Sequence, residues 1–389
     1  MYLYITVAVV TILLASFVTG KEQLHTAGTA GAEGRQLMGG AKHPLSREQC
    51  FSMLCLAAVF LILFGLSALR QNVGNDYAKY VEFMHRLYTD AYIDDPGVPT
   101  EWGFNLLCRV VYGLSGYENH LLVFAIYSFV TVAFFLSAMY EQSVEFPFSF
   151  FMFMTLGYYF QSFSTVRYYL ALGIALYSMK YVLRGQWGRF LLLVVAGAAF
   201  HKSIWVIVPL YFLASRSWKK WQVILATAFC SHFLFFQNFY MKLVVRLYPT
   251  YEGTEFLEGN GISYINVLRC LAVLALTAVC YQKVVQDRKC MFYFYLNLGA
   301  LILYLFCYFI PVVSRIGYYL TVSQILFVPA LLGYLEKPAM KKMFRFLAIG
   351  ACILYFMLYL RRAHQDGVLV LPYKCFLFQD MVDILSDVS

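Results

Sequence analysis

Charge is what this chain has least of. Only 13% of its 389 residues are Asp, Glu, Lys or Arg, against 61% hydrophobic, and the mean hydropathy is +0.65. That is too apolar for a soluble domain of this size. Nucleotide and zinc signatures are also missing. No GxGxxG, P-loop, HExxH or GxSxG run stands in a credible setting, so nucleotide-driven chemistry and zinc proteolysis are poor fits. The ten cysteines form no CxxC pair and no Cys/His cluster at metal-ligand spacing. Cys50 and Cys55 lie near one helical face and read as packing. Cys108 and Cys375 both fall on expected outer segments, and their pairing is left open. No internal repeat and no low-complexity tract interrupts the chain.

What the chain does have is apolar runs near the length of a bilayer span. They cover roughly 2–19, 50–69, 120–139, 146–163, 166–183, 190–200, 203–214, 221–238, 263–281, 291–310, 316–335 and 346–360. The first resembles a signal peptide but lacks a basic n-region and a small-residue cleavage site, so it is expected to remain as a span. The pair at 190–214 is too short for two ordinary crossings, since about 12 helical residues rise only about 18 Å. Read as a short broken pair, it lets the basic loops around Lys21, Lys180, Arg216, Lys283 and Lys341 share one side, as the positive-inside rule expects. The net charge of +9 is then topological, and no nucleic-acid partner is expected. The one exception is the acidic loop Glu141 to Glu145 on the same side, and acidic residues weigh little in that rule.

The expected fold is all-α: a polytopic integral membrane helical bundle of about 11–12 transmembrane segments, forming a single domain over 1–389. A large extracytoplasmic loop spans 70–119, a second outer loop spans 239–262, and the tail 361–389 also lies outside. The first loop is not a plain linker. Tyr77, Tyr80, Phe83, Met84 and Leu87 recur at three- to four-residue spacing and predict an amphipathic helix. Trp102 to Leu114 predicts a second, lying on the membrane surface. Asp94-Asp95-Pro96-Gly97 is a turn, and its two acids are a weak metal signal beside the plainer reading of a solvated loop.

This threading brings Arg70 with Asp76, Arg167, His201 and Arg315 to the outer side, each at or near a span end. A lone charge there is costly unless it has a partner or a function. A guanidinium stays charged and offers forked donors for phosphate or carboxylate; the plainer reading of Arg167 is snorkelling to headgroups. Arg269 lies inside the ninth span with Ser263 and Asn266 at three-residue steps, a polar stripe expected to face a cavity or another helix. His201 stands at the junction of the broken pair, as a candidate general base, ligand donor or structural cap. Asp76 is a candidate base, sugar ligand or ion partner. His232 reads as a packing or helix-linking residue.

The order of the short motifs resembles the EpsG-type branch of the Wzy-like polysaccharide polymerases. The matching pieces are Ala68-Leu69-Arg70, Asn75-Asp76-Tyr77-Ala78-Lys79-Tyr80 and Glu101-Trp102-Gly103-Phe104-Asn105-Leu106-Leu107. They continue with Ser164-Thr165-Val166-Arg167-Tyr168-Tyr169-Leu170-Ala171, Ala198-Ala199-Phe200-His201-Lys202-Ser203, Ser314-Arg315-Ile316-Gly317-Tyr318-Tyr319 and Leu371-Pro372-Tyr373-Lys374. Ser164 and Tyr168 stand where that family commonly has Asn and Gln. The resemblance implies an inverting glycosyltransferase on the outer face of the bacterial plasma membrane, using an undecaprenyl diphosphate-linked oligosaccharide as donor and another as acceptor. Arg70, Arg167, Arg315 and Arg269 would hold the diphosphate, Asp76 or His201 would take the proton, and Glu101 would position sugar. No cofactor and no metal are implied; the expected partners are lipid-linked glycan, membrane lipids and a chain-length regulator. Three other readings stay open: a metal-using GT-C-like transferase fed by polyprenyl-phosphate sugar, a flippase or transporter of lipid-linked oligosaccharide without chemistry, and a membrane acyltransferase.

Overall fold

The computed structural model describes residues 1–23, 46–89, 100–247, 261–310, 313–365 and 367–378. Asp94 and Asp95 lie outside the described residues. Most of the described residues are helical. Among the described residues no strand occurs, and β-pairing is limited to an isolated bridge between Arg70 and Cys375. The helices of eight residues or more are α1 Tyr2–Ala15, α2 Arg47–Ala68, α3 Tyr77–Thr89, α4 Trp102–Ser115, α5 His120–Gln142, α6 Phe146–Thr155, α7 Val166–Leu183 and α8 Trp187–Ala198. They continue as α9 Ile207–Ala214, α10 Lys220–Cys230, α11 Gln237–Leu247, α12 Tyr264–Val279, α13 Arg288–Phe306, α14 Val313–Thr321, α15 Gln324–Gly333 and α16 Pro338–Arg362.

Among the described residues, five helical stretches are long and apolar enough to cross a membrane: Arg47–Ala68, His120–Gln142, Arg288–Phe306, Val313–Gly333 and Pro338–Arg362. A sixth is counted if the bent pair Lys220–Phe235 and Gln237–Leu243 is one span. The protein is therefore a polytopic membrane helical bundle. The other expected segments are helical but shorter, including the broken pair, which appears as α8 and a helix over Lys202–Ala214. One of the differences has a local cause, and another is a bend. The segment expected over 146–163 breaks at Gly157, whose φ of +76° is left-handed and cannot continue a helix. The segment expected over 221–238 bends by 83°.

The described residues fall into two compact units, and the chain passes from one to the other within α7, within α8, after Lys202 and within α16. The first unit contains 1–177, 192–202 and 342–389. Ser46 starts α2 with a reciprocal cap: its hydroxyl accepts from the Gln49 N–H, and Gln49 accepts from the Ser46 N–H. α1 buries a single stripe, Tyr4, Ala8, Thr11 and Ala15, and packs on α2 and α6. At one end of this unit the Thr19 N–H donates to Ser52 Oγ at 2.9 Å, and Arg345 pairs with Glu145 beneath the Phe148 ring. That pair joins the acidic loop to a basic one and places both at the same end.

At the opposite end of this unit the stretch 368–376 is woven onto the loop after α2. The Gln71 N–H donates to Lys374 O at 3.0 Å, the Phe376 N–H to Leu69 O at 3.2 Å and the Gly74 N–H to Leu369 O at 2.8 Å. Tyr4 Oη reaches Val370 O at 2.5 Å and Tyr373 Oη reaches Leu66 O at 2.9 Å. The expected amphipathic helix is α3, which buries Tyr77, Tyr80, Phe83, Met84 and Leu87. α4 buries Phe104, Cys108 and Val111 and exposes Trp102, Leu106, Val110 and Leu114 at four-residue spacing. Cys108 and Cys375 are both free thiols.

The second unit contains 178–191 and 203–341. α12, α13 and α15 are knit by polar side chains. Asn297 Nδ2 donates to Cys270 O at 3.1 Å, and Gln324 Nε2 donates to Asn297 Oδ1 at 2.6 Å. Such groups inside a membrane bundle link helices, because the alternative is an unsatisfied dipole in hydrocarbon. His232 contacts Tyr240 Oη through Nδ1 at 3.2 Å and stacks on Phe236 at 4.3 Å, a packing arrangement.

Candidate functional site

The site in the first unit begins with a glycine. At the start of α4 the Gly103 N–H donates to Ala199 O at 2.8 Å. A Cβ at Gly103 would stand 2.6 Å from that oxygen, so only glycine permits the approach. The contact docks the end of α8 and the following 199–202 stretch against the N-terminus of α4. Glu101 is the residue before α4. Its side chain does not cap its own helix and turns instead toward α7 and the 201–202 backbone.

Both carboxylate oxygens of Glu101 are engaged. Oε2 accepts from Arg167 Nη1. Oε1 accepts from the Lys202 N–H at 3.1 Å and stands 3.4 Å from His201 Nδ1. The three side chains are 13–15% exposed. Burial pushes the Glu101 carboxyl up. The His201 contact, the Arg167 charge and the Lys202 N–H together outweigh it and bring it down to about 2. Glu101 is therefore a fixed anion and a poor proton carrier near neutral pH.

Arg167, in the first turn of α7, is held on its faces as well as its edge. Its guanidinium carbon lies 5.4 Å from the Tyr80 ring centre and 5.3 Å from that of Phe104. Cation–π contact of this kind contributes about 0.5–2 kcal/mol. Among the described residues its buried Nε has no hydrogen-bond partner. His201 is fixed by its own N–H, which donates to Gly197 O at 2.9 Å, and by the edge of Tyr168 at 5.6 Å. The set thus has one anchored cation, one anchored anion and one imidazole within a few ångströms.

The other expected site residues are placed differently. Arg70 is 1% exposed. Its Nη1 donates to Ser67 O, to Ser67 Oγ at 3.0 Å and to Ser128 Oγ at 3.2 Å, and its charge lies over Phe124 and Phe163. That environment makes it a peg between α2 and α5 rather than an open anion receptor. The ring of Phe124 in turn packs near Tyr80, so Arg70 and Arg167 share one aromatic wall. Asp76 is half-buried just ahead of α3 and interacts with Tyr80 through its charge. In the second unit, Arg269 Nη2 donates to Thr321 Oγ1 at 2.8 Å and its charge lies 5.9 Å from Tyr318. Arg315 sits on the same helix, α14, three and six residues before them, and Asn266 Nδ2 donates to Ser263 Oγ at 2.9 Å. Among the described residues no cluster of His, Cys, Asp and Glu suits a metal.

Tyr80, Phe104 and the Lys202 N–H were not singled out by sequence reasoning. Tyr80 and Phe104 sit within quoted motifs, but nothing in their residue type marks them as partners of a cation. A family model described as the EpsG family matches residues 53–375. No curated protein and no solved structure matches the chain.

Proposed function

Because the chain belongs to the EpsG family, we propose that it extends a polysaccharide by joining lipid-linked repeat units. The donor is a glycan on undecaprenyl diphosphate, and the acceptor is the non-reducing end of another lipid-linked glycan. The reaction takes place at the extracytoplasmic face of a bacterial plasma membrane, and a chain-length regulator is its expected protein partner. The observation that carries this reading is the Arg167–Glu101–His201 cluster, a cation and an imidazole fixed side by side in a membrane protein of this family.

The chemistry is a single displacement. The acceptor hydroxyl oxygen attacks the anomeric carbon of the donor sugar. The bond from that carbon to the phosphate oxygen breaks, and its electron pair leaves on the lipid diphosphate. Backside attack inverts the anomeric centre. Arg167 neutralises the charge that grows on the leaving group, and such preorganised charge stabilises most where water is sparse. His201 or Asp76 takes the hydroxyl proton. The driving force is release of the lipid diphosphate from the anomeric carbon, with its P–O–P linkage intact, so no nucleotide and no cofactor is needed.

The test is an assay of the purified chain with synthetic lipid-diphosphate repeat units. Longer glycans and released lipid diphosphate are expected. Unchanged oligosaccharide delivered across a vesicle wall would overturn the reading in favour of transport.

A further inference from the structure

Glu101 is the residue through which everything in the cluster is connected. One of its oxygens takes the guanidinium of Arg167; the other takes the Lys202 N–H and faces His201 Nδ1. It is too engaged to meet a sugar and too firmly ionised to move a proton. Its remaining use is to set the state of its neighbours. His201 Nδ1 stands 3.4 Å from Oε1, and the anion favours the proton on that nitrogen, which leaves the lone pair on Nε2. We infer that Glu101 is a positioning residue: it holds His201 as the Nδ1–H tautomer, so that Nε2 takes the acceptor's proton, and it keeps Arg167 beside it.

The inference rests on the polymerase reading and deepens it. During the displacement the acceptor O–H proton moves to His201 Nε2 as the new glycosidic bond forms, and the imidazolium later returns it to water. For that interval a second positive charge stands beside Arg167, and like charges at such range oppose each other. The Glu101 carboxylate offsets this, because it contacts both cations at once. Among the described residues, the charged and titratable groups beside His201 include Glu101 before α4, Arg167 and Tyr168 at the start of α7, and Lys202 next to it in the chain. Of these only Glu101 is anionic at neutral pH. The Gly103–Ala199 contact fixes its distance from the 201–202 backbone.

The experiment uses the full chain in lipid nanodiscs with nitrogen-15 histidine, without any glycan. The His201 signals are identified by their loss in His201→Gln. Neutral His201 is expected as the Nδ1–H tautomer, and in Glu101→Gln its titration is expected to move to lower pH, because the carboxylate no longer favours the imidazolium. A wild-type Nε2–H tautomer, or an unmoved titration in Glu101→Gln, overturns the inference. If that variant does not fold, the wild-type tautomer alone decides. With lipid-diphosphate units added, Glu101→Gln should lose about 10- to 100-fold in kcat with KM little changed, and the acid limb of its rate profile should move to lower pH. Glu101→Asp should recover part of the loss. Failure of the wild-type chain to lengthen any glycan would sink the polymerase reading while leaving the spectroscopic result intact. The reverse pattern would sink only the role of Glu101.

Discussion

Arg167→Lys is the substitution that asks most of the proposed chemistry. Lysine keeps the charge and a single ammonium point but loses the planar fork. In the structure one guanidinium nitrogen is committed to Glu101, and the guanidinium plane rests by Tyr80 and Phe104. An ammonium can replace the first contact, since it too can donate to Oε2. It cannot at the same time present a second donor at the angle that the buried Nε and the remaining nitrogen provide. What is lost is one charge-assisted hydrogen bond to the leaving diphosphate, about 1.5–3 kcal/mol. At 1.4 kcal/mol per decade that is about 10- to 100-fold in kcat. The assay follows glycan length and released lipid diphosphate with purified enzyme at equal protein, and thermal unfolding is measured alongside. Because lysine leaves Glu101 paired, the unfolding temperature should change little. A rate within about twofold of wild type, in a folded protein, would refute a forked anion-binding role.

Gly103→Ala should destabilise the first unit by about 1–3 kcal/mol, because its methyl would meet the backbone oxygen of Ala199 rather than a yielding side chain; thermal unfolding in detergent reads this. Glu101 makes stability pH-dependent in one direction. Its carboxyl lies below its ordinary value of 4.5, at about 2, so the stabilisation is present above 4.5 and is lost as pH falls toward 2. Wild-type unfolding temperature should drop across that window more than that of Glu101→Gln. Glycan extension should be indifferent to a chelator of divalent cations, and loss of activity that returns with added metal would favour a metal-using transferase.

Much of this was legible in the sequence because the relevant signals are local. The spacing of Tyr77, Tyr80, Phe83, Met84 and Leu87 is a property of one helix, and the helix is there with those side chains inward. The short pair at 190–214 followed from length and charge placement, and the chain does interrupt its helix between Ala198 and Lys202. The bend after α10 was not legible. The segment from Trp221 to Asn238 contains no glycine or proline to announce it. Partnerships between distant segments were harder still. Arg70 and Arg167 look alike as arginines near span ends. Only the fold reveals that Ser67 and Ser128 occupy the first, whereas a carboxylate and two rings clamp the second. A carboxylate in an outer loop carries no mark of its counter-ion, so the sequence alone offers Glu101 as a sugar contact.

The pairing of 368–376 with the loop after α2 has a practical consequence for anyone shortening this protein. Deleting from Val368 onward would strip the backbone acceptors now used by Tyr4, Gln71, Gly74 and Ser164, four residues drawn from three separate stretches of the first unit. A truncated variant without activity would therefore say nothing about chemistry in the removed piece, since its loss loosens the seat of α1 and the approach to α3 together.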